Sequence, residues 1–217
     1  MNSRYRSRKK DVDIETIKKF FELRLLNSDK KNELIALLEN LKNLDVELEI
    51  GCGCGHFITQ KATDNSNIFF LANELKLKIM KKVIRKAQIN NLENLVFLVG
   101  DINNFLEYFP SDFLQSVYIN FPDPWPKKRH HKRRLINQDF LNKIAEKMKK
   151  NAKLFFVTDN IEYLTYSIEQ FKMNNYFICG VENYGVLDKL ENYPQTLYET
   201  LFRKDGIKIN YTYYIRK

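Results

Sequence analysis

The sequence predicts an α/β fold in which helices cover both faces of a mostly parallel sheet. Strands and helices alternate through about residue 175, most strands are apolar runs, and two specialised loops each directly follow a strand. Seven strands are expected, and the last two should add an antiparallel C-terminal edge. In such sheets ligands bind outside the carboxyl ends of the strands, so both loops should open onto one crevice.

The individual elements follow from local patterns. Leucines at helical spacing, from Leu34 to Leu41, predict a helix over residues 29–42. Strands are expected at residues 46–50, 67–72, 95–99, 116–121, 153–158, 176–182 and 207–215. The remaining helices are expected near residues 56–63, 75–90, 103–109, 138–150 and 161–173. No repeat or interdomain linker interrupts this order.

Length and composition limit the class of protein. A chain of 217 residues and 26.0 kDa predicts one domain over residues 1–217. No apolar run approaches the roughly 18 residues that span a bilayer. The basic N-terminus lacks the apolar core of a secretory signal. Three cysteines are too few for a disulfide framework, which favours a reducing, cytoplasmic location.

Positive charge is concentrated in two short segments. Lys plus Arg number 36 and Asp plus Glu number 27, for a net charge of +9. Residues 1–10 and 127–134 together carry +11 and no acid, so the other 199 residues sum to −2. Such clustering indicates a polyanionic partner, either nucleic acid or an anionic membrane surface. Residues 1–12 are expected to form a basic N-terminal arm.

The first specialised loop contains Gly51, Gly53 and Gly55 after an acidic residue, Glu49. The dinucleotide fingerprint would need glycine where His56 stands, and no P-loop lysine follows. The G-x-G-x-G pattern fits S-adenosyl-L-methionine better, because its sulfonium, ammonium and ribose require backbone contacts and carboxylates. Acidic residues also end the next two strands, at positions 74 and 101, and are expected to face the same ligand. Cys52, Cys54 and His56 do not match zinc-ligand spacing, so no metal is expected.

The second loop contains three prolines and the only tryptophan, Trp125, and it leads into the basic run at 127–134. Prolines fix the backbone, so Asp123 between Pro122 and Pro124 is predicted to be a positioned carboxylate. The indole of Trp125 is suited to stacking on a base, and the basic run to contacting phosphates.

These residues resemble the bacterial tRNA (guanine-N7-)-methyltransferase family over roughly residues 40–217. The most specific match is NFPDPWPKKRHHKRRL at 120–135. Supporting matches are Glu49 with the glycine loop, Glu74, Asp101, Thr158-Asp159-Asn160, Thr196 to Glu199, Gly206 and Ile209. Ala72-Asn73 and the loop cysteines depart from the family pattern without removing a functional side chain. The resemblance implies a Rossmann-like class I methyltransferase that uses S-adenosyl-L-methionine.

Residues and resemblance together give a predicted site. The catalytic residue is Asp123. The predicted cofactor set is Glu49, Gly51, Gly53, Gly55, Glu74, Asp101, Asn120 and Asp123. The predicted substrate set is Lys127, Arg129, Arg133, Arg134, Asp159, Thr196, Leu197, Tyr198 and Glu199. By resemblance the substrate is tRNA and the target is the variable-loop guanine, usually at position 46. The chain is expected to act as a monomer or homodimer without an obligate protein partner.

Other functions stay open at this point. A methyltransferase for another base is one, although enzymes that modify exocyclic amino groups often carry Asn-Pro-Pro-Tyr where this chain has Asn120-Phe121-Pro122-Asp123. A non-catalytic RNA-binding subunit with the same fold is another. His56 argues against a nicotinamide dehydrogenase. The basic runs adjoin no amphipathic stripe, so a membrane-surface protein is least favoured.

Overall fold

The structure, a computed structural model, describes residues 19–217. The predicted basic arm over residues 1–12 lies outside the described residues. The strands are β1 (Phe20–Glu22), β2 (Val46–Ile50), β3 (Phe69–Glu74), β4 (Leu95–Val99), β5 (Leu114–Asn120), β6 (Met148–Thr158), β7 (Phe177–Cys179) and β8 (Asn210–Arg216). The α-helices are α1 (Ser28–Leu41), α2 (His56–Asp64), α3 (Leu77–Ile89), α4 (Ile102–Phe105), α5 (Gln138–Lys147), α6 (Ile161–Met173) and α7 (Leu197–Lys204).

These strands form one sheet in the order β1-β4-β3-β2-β5-β6-β8-β7. The first six strands pair in parallel, and β8 pairs antiparallel with both β6 and β7. The chain winds outward from β2 to β4 and then returns to β5 on the other side of β2. The switch point between β2 and β5 is where an open α/β sheet forms its ligand crevice.

Both faces of the sheet are buried. On one face Leu71 of β3 joins a core under α1, α5 and α6, while its neighbours Phe70 and Ala72 face a second core under α2 and α3. This two-sided burial explains why the strands are apolar runs in the sequence. The predicted fold class is therefore confirmed.

Several element predictions were wrong in detail. The sheet has eight described strands rather than seven, because the three-residue β1 pairs with β4. The predicted helix over 138–150 ends at Lys147, since Met148 already pairs with Leu114 of β5. Residues 128–133, inside the basic run, form a 3-10 helix, and α7 was not predicted at all.

Candidate active site

The glycine loop, residues 51–55, joins β2 to α2 with three left-handed glycines. Their φ angles are +73° at Gly51, +53° at Gly53 and +73° at Gly55. A Cβ added at Gly51 or Gly53 would meet no atom within 4 Å, whereas one at Gly55 would lie 2.7 Å from Val83 of α3. The first two glycines thus leave the backbone open to a ligand, and the third allows α3 to pack closely.

Glu49 lies at the end of β2 with only 2% of its surface exposed. Its Oε1 accepts a hydrogen bond from Asn120 Nδ2 at 3.0 Å. Its Oε2 is buried and has no hydrogen-bond partner among residues 19–217. Burial raises the pKa of Glu49 to about 7. A buried carboxylate with one unsatisfied oxygen fits a positively charged ligand such as the S-adenosylmethionine ammonium.

Asn120, at the end of β5, bridges Glu49 to a segment far away in sequence. Its Oδ1 accepts a hydrogen bond from the Tyr193 hydroxyl at 2.6 Å. Because that oxygen is occupied, the amide nitrogen is directed at Glu49. The Tyr193 ring packs against Phe57 and Tyr118, at centroid distances of 4.7 and 5.8 Å. Tyr193 was not among the predicted site residues, although it touches one of them directly.

Glu74 and Asp101 end the two strands beyond β2. Glu74 Oε2 accepts from the Gly53 backbone at 3.2 Å, and its Oε1 accepts from the Lys76 backbone at 3.1 Å. The carboxylate therefore lies against the glycine loop, as a ribose-binding acid would. Asp101 is exposed and caps α4 by accepting from the Asn103 backbone at 2.9 Å. The Asn103 side-chain oxygen is buried with no partner in the described chain.

The proline loop, residues 121–126, follows β5 at the same edge of the sheet. Phe121 N donates to Val157 O of β6 at 2.8 Å, which fixes the loop's start. Phe121 and Trp125 have φ angles of +50° and +45°, and each precedes a proline. Left-handed angles at such residues are strained and cluster at functional sites. Asp123 is exposed and makes no hydrogen bond or ion pair to residues 19–217.

Arg134 was predicted to bind phosphate, and its position does not fit that role. It is only 2% exposed. Its Nε donates to Pro124 O at 2.9 Å, and its terminal nitrogen donates to Glu162 Oε1 at 2.7 Å. The guanidinium also lies 5.2 and 4.7 Å from the Tyr163 and Tyr166 ring centroids. It anchors the proline loop to α6, and it holds the pKa of Glu162 below its usual range.

The rest of the basic run lies on the surface. Lys127 and Arg129 are exposed, and their binding of phosphate stays a prediction. The Arg133 guanidinium carbon lies 5.0 Å from the centre of the Trp125 ring, and His130 meets that ring edge-on at 5.8 Å. Arg133 thus occupies one face of Trp125. Base stacking, as predicted, would use the opposite face or displace Arg133.

The remaining substrate residues lie at two helix starts. Asp159 follows β6 at the carboxyl edge of the sheet and is half-buried. Thr196 caps α7 by accepting from the Glu199 backbone at 3.0 Å, and the nearly buried Glu199 pairs with Arg203 at 2.8 Å. Thr-x-x-Glu is the sequence signature of a capping box and would have predicted α7, although here the Glu199 carboxylate binds Arg203. Leu197 and Tyr198 between them are exposed.

Neither a metal-binding cluster nor a membrane-spanning helix is present among residues 19–217. No group of three His, Cys, Asp or Glu side chains within residues 19–217 is placed to hold a metal ion. None of the helices described is long and apolar enough to cross a membrane.

Comparison with known proteins defines the class. The chain is similar in fold to the antibiotic-resistance methyltransferase Kmr, with a TM-score of 0.60 and 14% identity over 84% of this chain and 92% of that one. A 30S ribosomal A1408 methyltransferase from an uncultured bacterium gives a TM-score of 0.54 at 21% identity, over 86% and 94%. Both likenesses show a shared fold, the α/β fold of class I methyltransferases.

Sequence comparison identifies the family. A family model described as "Putative methyltransferase" matches residues 43–211. The tRNA (guanine-N(7)-)-methyltransferase of Clostridioides difficile (strain 630) is 37% identical over 164 residues, covering 76% of this chain and 77% of its own. That of Lactobacillus helveticus (strain DPC 4571) is 33% identical over 206 residues, covering 93% and 94%. The chain belongs to the tRNA (guanine-N7-)-methyltransferase family.

Proposed function

We propose that this protein transfers a methyl group from S-adenosyl-L-methionine to N7 of a guanine in tRNA. The observation that supports this best is the contact between Glu49 and Asn120 across the switch point. This hydrogen bond joins Glu49, the carboxylate proposed to bind the cofactor ammonium, to the end of β5, and Asp123 follows three residues later. The proposed cofactor residues and Asp123 therefore lie at the same edge of the sheet.

The residues that would hold the cofactor are acids and glycine backbone. Glu49 offers its free oxygen to the ammonium, Glu74 lies where ribose hydroxyls can be bound, and Gly51 and Gly53 leave open space. Asp101 at the end of β4 would accept from the adenine amino group. When bound, S-adenosyl-L-methionine supplies a methyl group on a positively charged sulfur.

The acceptor chemistry places modest demands on the protein. N7 of guanine carries a lone pair, so no proton has to leave before methylation and no strong general base is needed. As the N–C bond forms and the S–C bond to the methyl group breaks, the positive charge passes from sulfur, which leaves as a neutral thioether, to the guanine ring, where Asp123 would stabilise it electrostatically. Positioning is then the main catalytic task, which suits a loop held by prolines and by Arg134. Asp159 and Glu199 would help to bind the base, and Lys127 and Arg129 would bind phosphates.

The variable-loop guanine at position 46 is proposed as the target on the family resemblance alone. The test is to incubate the protein with methyl-labelled cofactor and unmodified tRNA transcript and to map the label. We expect 7-methylguanine at position 46 and no label when that guanine is replaced by adenine. Label on another base would contradict the proposed reaction, and label on another guanine would contradict only the position.

The role of Asp123 needs a separate variant. We expect Asp123→Asn to lower the methylation rate about 100-fold or more, a loss typical of one electrostatic contact in an active site. The fold should be unchanged, because Asp123 makes no hydrogen bond or ion pair to residues 19–217. Asp139→Asn, an exposed acid of α5 paired with Lys143, is the matched control. Full activity of Asp123→Asn would remove Asp123 from catalysis.

A further inference from the structure

Helix α3 carries a concentration of positive charge that the proposed site does not use. Residues 75–92 contain six basic side chains and no acidic one. The net charge of residues 19–217 is +6. Residues 75–92 carry +6 and residues 127–134 carry another +6, so the remaining described residues have a net charge of −6. Helices α1, α5 and α6 each mix acidic with basic residues. A general excess of lysine in the sequence therefore does not explain the positive charge of α3.

Three of these lysines form a stripe along the helix. Lys78, Lys82 and Lys86 are spaced four residues apart, so they follow one side of α3 over about 12 Å. None has an acidic partner among the described residues. Lys82 Nζ instead lies 3.8 Å from Cys54 Sγ in the glycine loop. The Lys86 ammonium nitrogen is buried and has no hydrogen-bond partner in the described chain.

This arrangement is unfavourable without a counter-charge. Like charges four residues apart on a helix repel each other, and an unpaired ammonium that is shielded from water costs further free energy. Burial, with a contribution from Lys82, lowers the pKa of Lys86, although the nearby Cys54 acts in the opposite direction. Local burial, with a smaller contribution from Lys86, lowers the pKa of His56 at the start of α2. A polyanion bound beside α3 would reduce both the repulsion between the lysines and the cost of the unpaired Lys86 ammonium.

The fold indicates which polyanion fits. The apolar side of α3, formed by Met80, Val83, Ile84 and Ala87, is buried in the core. The helix therefore has no apolar face to insert into a membrane, as an interfacial helix would need. It also starts just after Glu74, at the edge of the sheet where the glycine and proline loops lie. RNA phosphates next to the target nucleotide could reach it.

We propose that Lys78 and Lys82, with the charge of the shielded Lys86 ammonium behind them, form a second phosphate-binding surface for the RNA substrate, separate from the basic run at 127–134. The inference rests on the proposed function, because it takes tRNA to be the substrate. A backbone contact of this kind positions the RNA without reading its sequence.

The test compares two triple variants that lose the same charge. K78Q/K82Q/K86Q should weaken binding of an unmodified tRNA transcript on the order of tenfold at low salt, and should reduce the slope of log affinity against log salt by about 2 to 3. The KM for tRNA should rise, while kcat at saturating tRNA and cofactor affinity stay unchanged. K147Q/K149Q/K150Q, at the opposite edge of the sheet, should keep the wild-type slope.

Three results would overturn the inference. One is an unchanged salt slope in K78Q/K82Q/K86Q, and another is an equal loss in both triple variants, which would indicate net charge alone. The third is loss of binding to phosphatidylserine vesicles with tRNA binding intact. If the triple variant folds poorly, the double variant K78Q/K82Q, which retains Lys86, takes its place. Its salt slope should fall by less than the slope expected for the triple variant. The affinity of tRNA is measured without turnover, so it tests the lysine surface alone. Failure of the proposed reaction would show separately, as the absence of labelled guanine in the methylation experiment.

Discussion

Glu49 is the residue whose chemistry depends most on its surroundings. Burial raises its pKa to about 7, and the hydrogen bond from Asn120 acts in the opposite direction by stabilising the ionised form. Near neutral pH the free protein is therefore a mixture of protonated and ionised Glu49. A cationic ligand binds the ionised form better, so cofactor affinity should increase as the pH rises through about 7.

Tyr193→Phe tests whether the hydrogen bond from Tyr193 to Asn120 helps to set the pKa of Glu49. The ring and its packing stay, but the hydroxyl that fixes the Asn120 amide is lost. A less firmly held Asn120 stabilises the Glu49 carboxylate less, so the pKa of Glu49 should rise further. We expect the midpoint of cofactor affinity against pH to move to higher pH. Affinity at pH 7 should fall several-fold, a hydrogen-bond effect of about 1 kcal/mol.

The measurement is a calorimetric titration with S-adenosyl-L-methionine from pH 5.5 to 8. Tyr108→Phe is the control, since that tyrosine is half-buried and its hydroxyl makes no hydrogen bond in the described chain. If Tyr193→Phe weakens binding equally at every pH, the tyrosine acts through packing and not through Glu49.

The sequence indicates the acids and glycines of the candidate site but not Tyr193. Glu49, Glu74 and the glycines sit at strand ends, where the fold class alone places a ligand. The contact between Tyr193 and Asn120 joins residues 73 positions apart and depends on how an irregular segment returns to the sheet. Likewise, the pattern of basic residues cannot distinguish the exposed Arg129 from the buried Arg134.

At the scale of elements, the proline loop depends on a helix that follows it in sequence. The loop has two strained residues, Phe121 and Trp125, and strain of this kind costs about 1–3 kcal/mol each unless the surroundings enforce it. Arg134 provides such enforcement, because it connects Pro124 O to Glu162 of α6. Asp123 is next to Pro124, so its position depends on this connection.

Arg134→Lys should show whether Arg134 positions the proline loop without affecting cofactor binding. Lysine cannot donate in two directions from a planar group or stack on tyrosine rings, so the loop should loosen. We expect kcat for tRNA methylation to fall about 10- to 100-fold, as a misplaced catalytic group would cause. Cofactor affinity should stay within about twofold, because Arg134 does not contact the glycine loop.

Single-turnover rates and cofactor titrations provide the two readouts. Arg133→Lys, which alters only an exposed guanidinium over Trp125, is the control and should retain kcat. A parallel loss of kcat and cofactor affinity in Arg134→Lys would indicate general unfolding. An unchanged kcat would show that the loop is positioned without Arg134.

Periodicity predicts the long elements and misses those that tertiary contacts create. The helix at 29–42 and the strands at 46–50 and 95–99 were predicted to within one residue. The strand at 20–22 is too short to show a pattern and exists only because β4 offers a free edge. The predicted strand over 176–182 shrinks to Phe177–Cys179, since Gly180 and a 3-10 helix at Glu182–Tyr184 follow it.

At the scale of the whole molecule, the site residues come from both halves of one sheet. The glycine loop and Glu74 lie on the β2–β4 side, and the proline loop lies on the β5–β6 side. We infer that the chain folds as one cooperative domain, because β2 and β5 pair at the centre and share one core. A ligand that binds at the switch point should then stabilise both halves together.

Thermal unfolding with and without S-adenosyl-L-methionine tests this inference. At a cofactor concentration of 100 times Kd, binding adds about 2.7 kcal/mol of stability. For a protein of this size that corresponds to an increase in Tm of about 5–11 °C. We expect a single transition that shifts as a whole, whether it is followed by calorimetry or by the fluorescence of Trp125 on the β5 side. NAD at the same concentration is the control and should leave Tm unchanged, since His56 replaces the third glycine of the dinucleotide fingerprint. Two transitions, of which only one responds to the cofactor, would mean that the two halves of the sheet unfold separately.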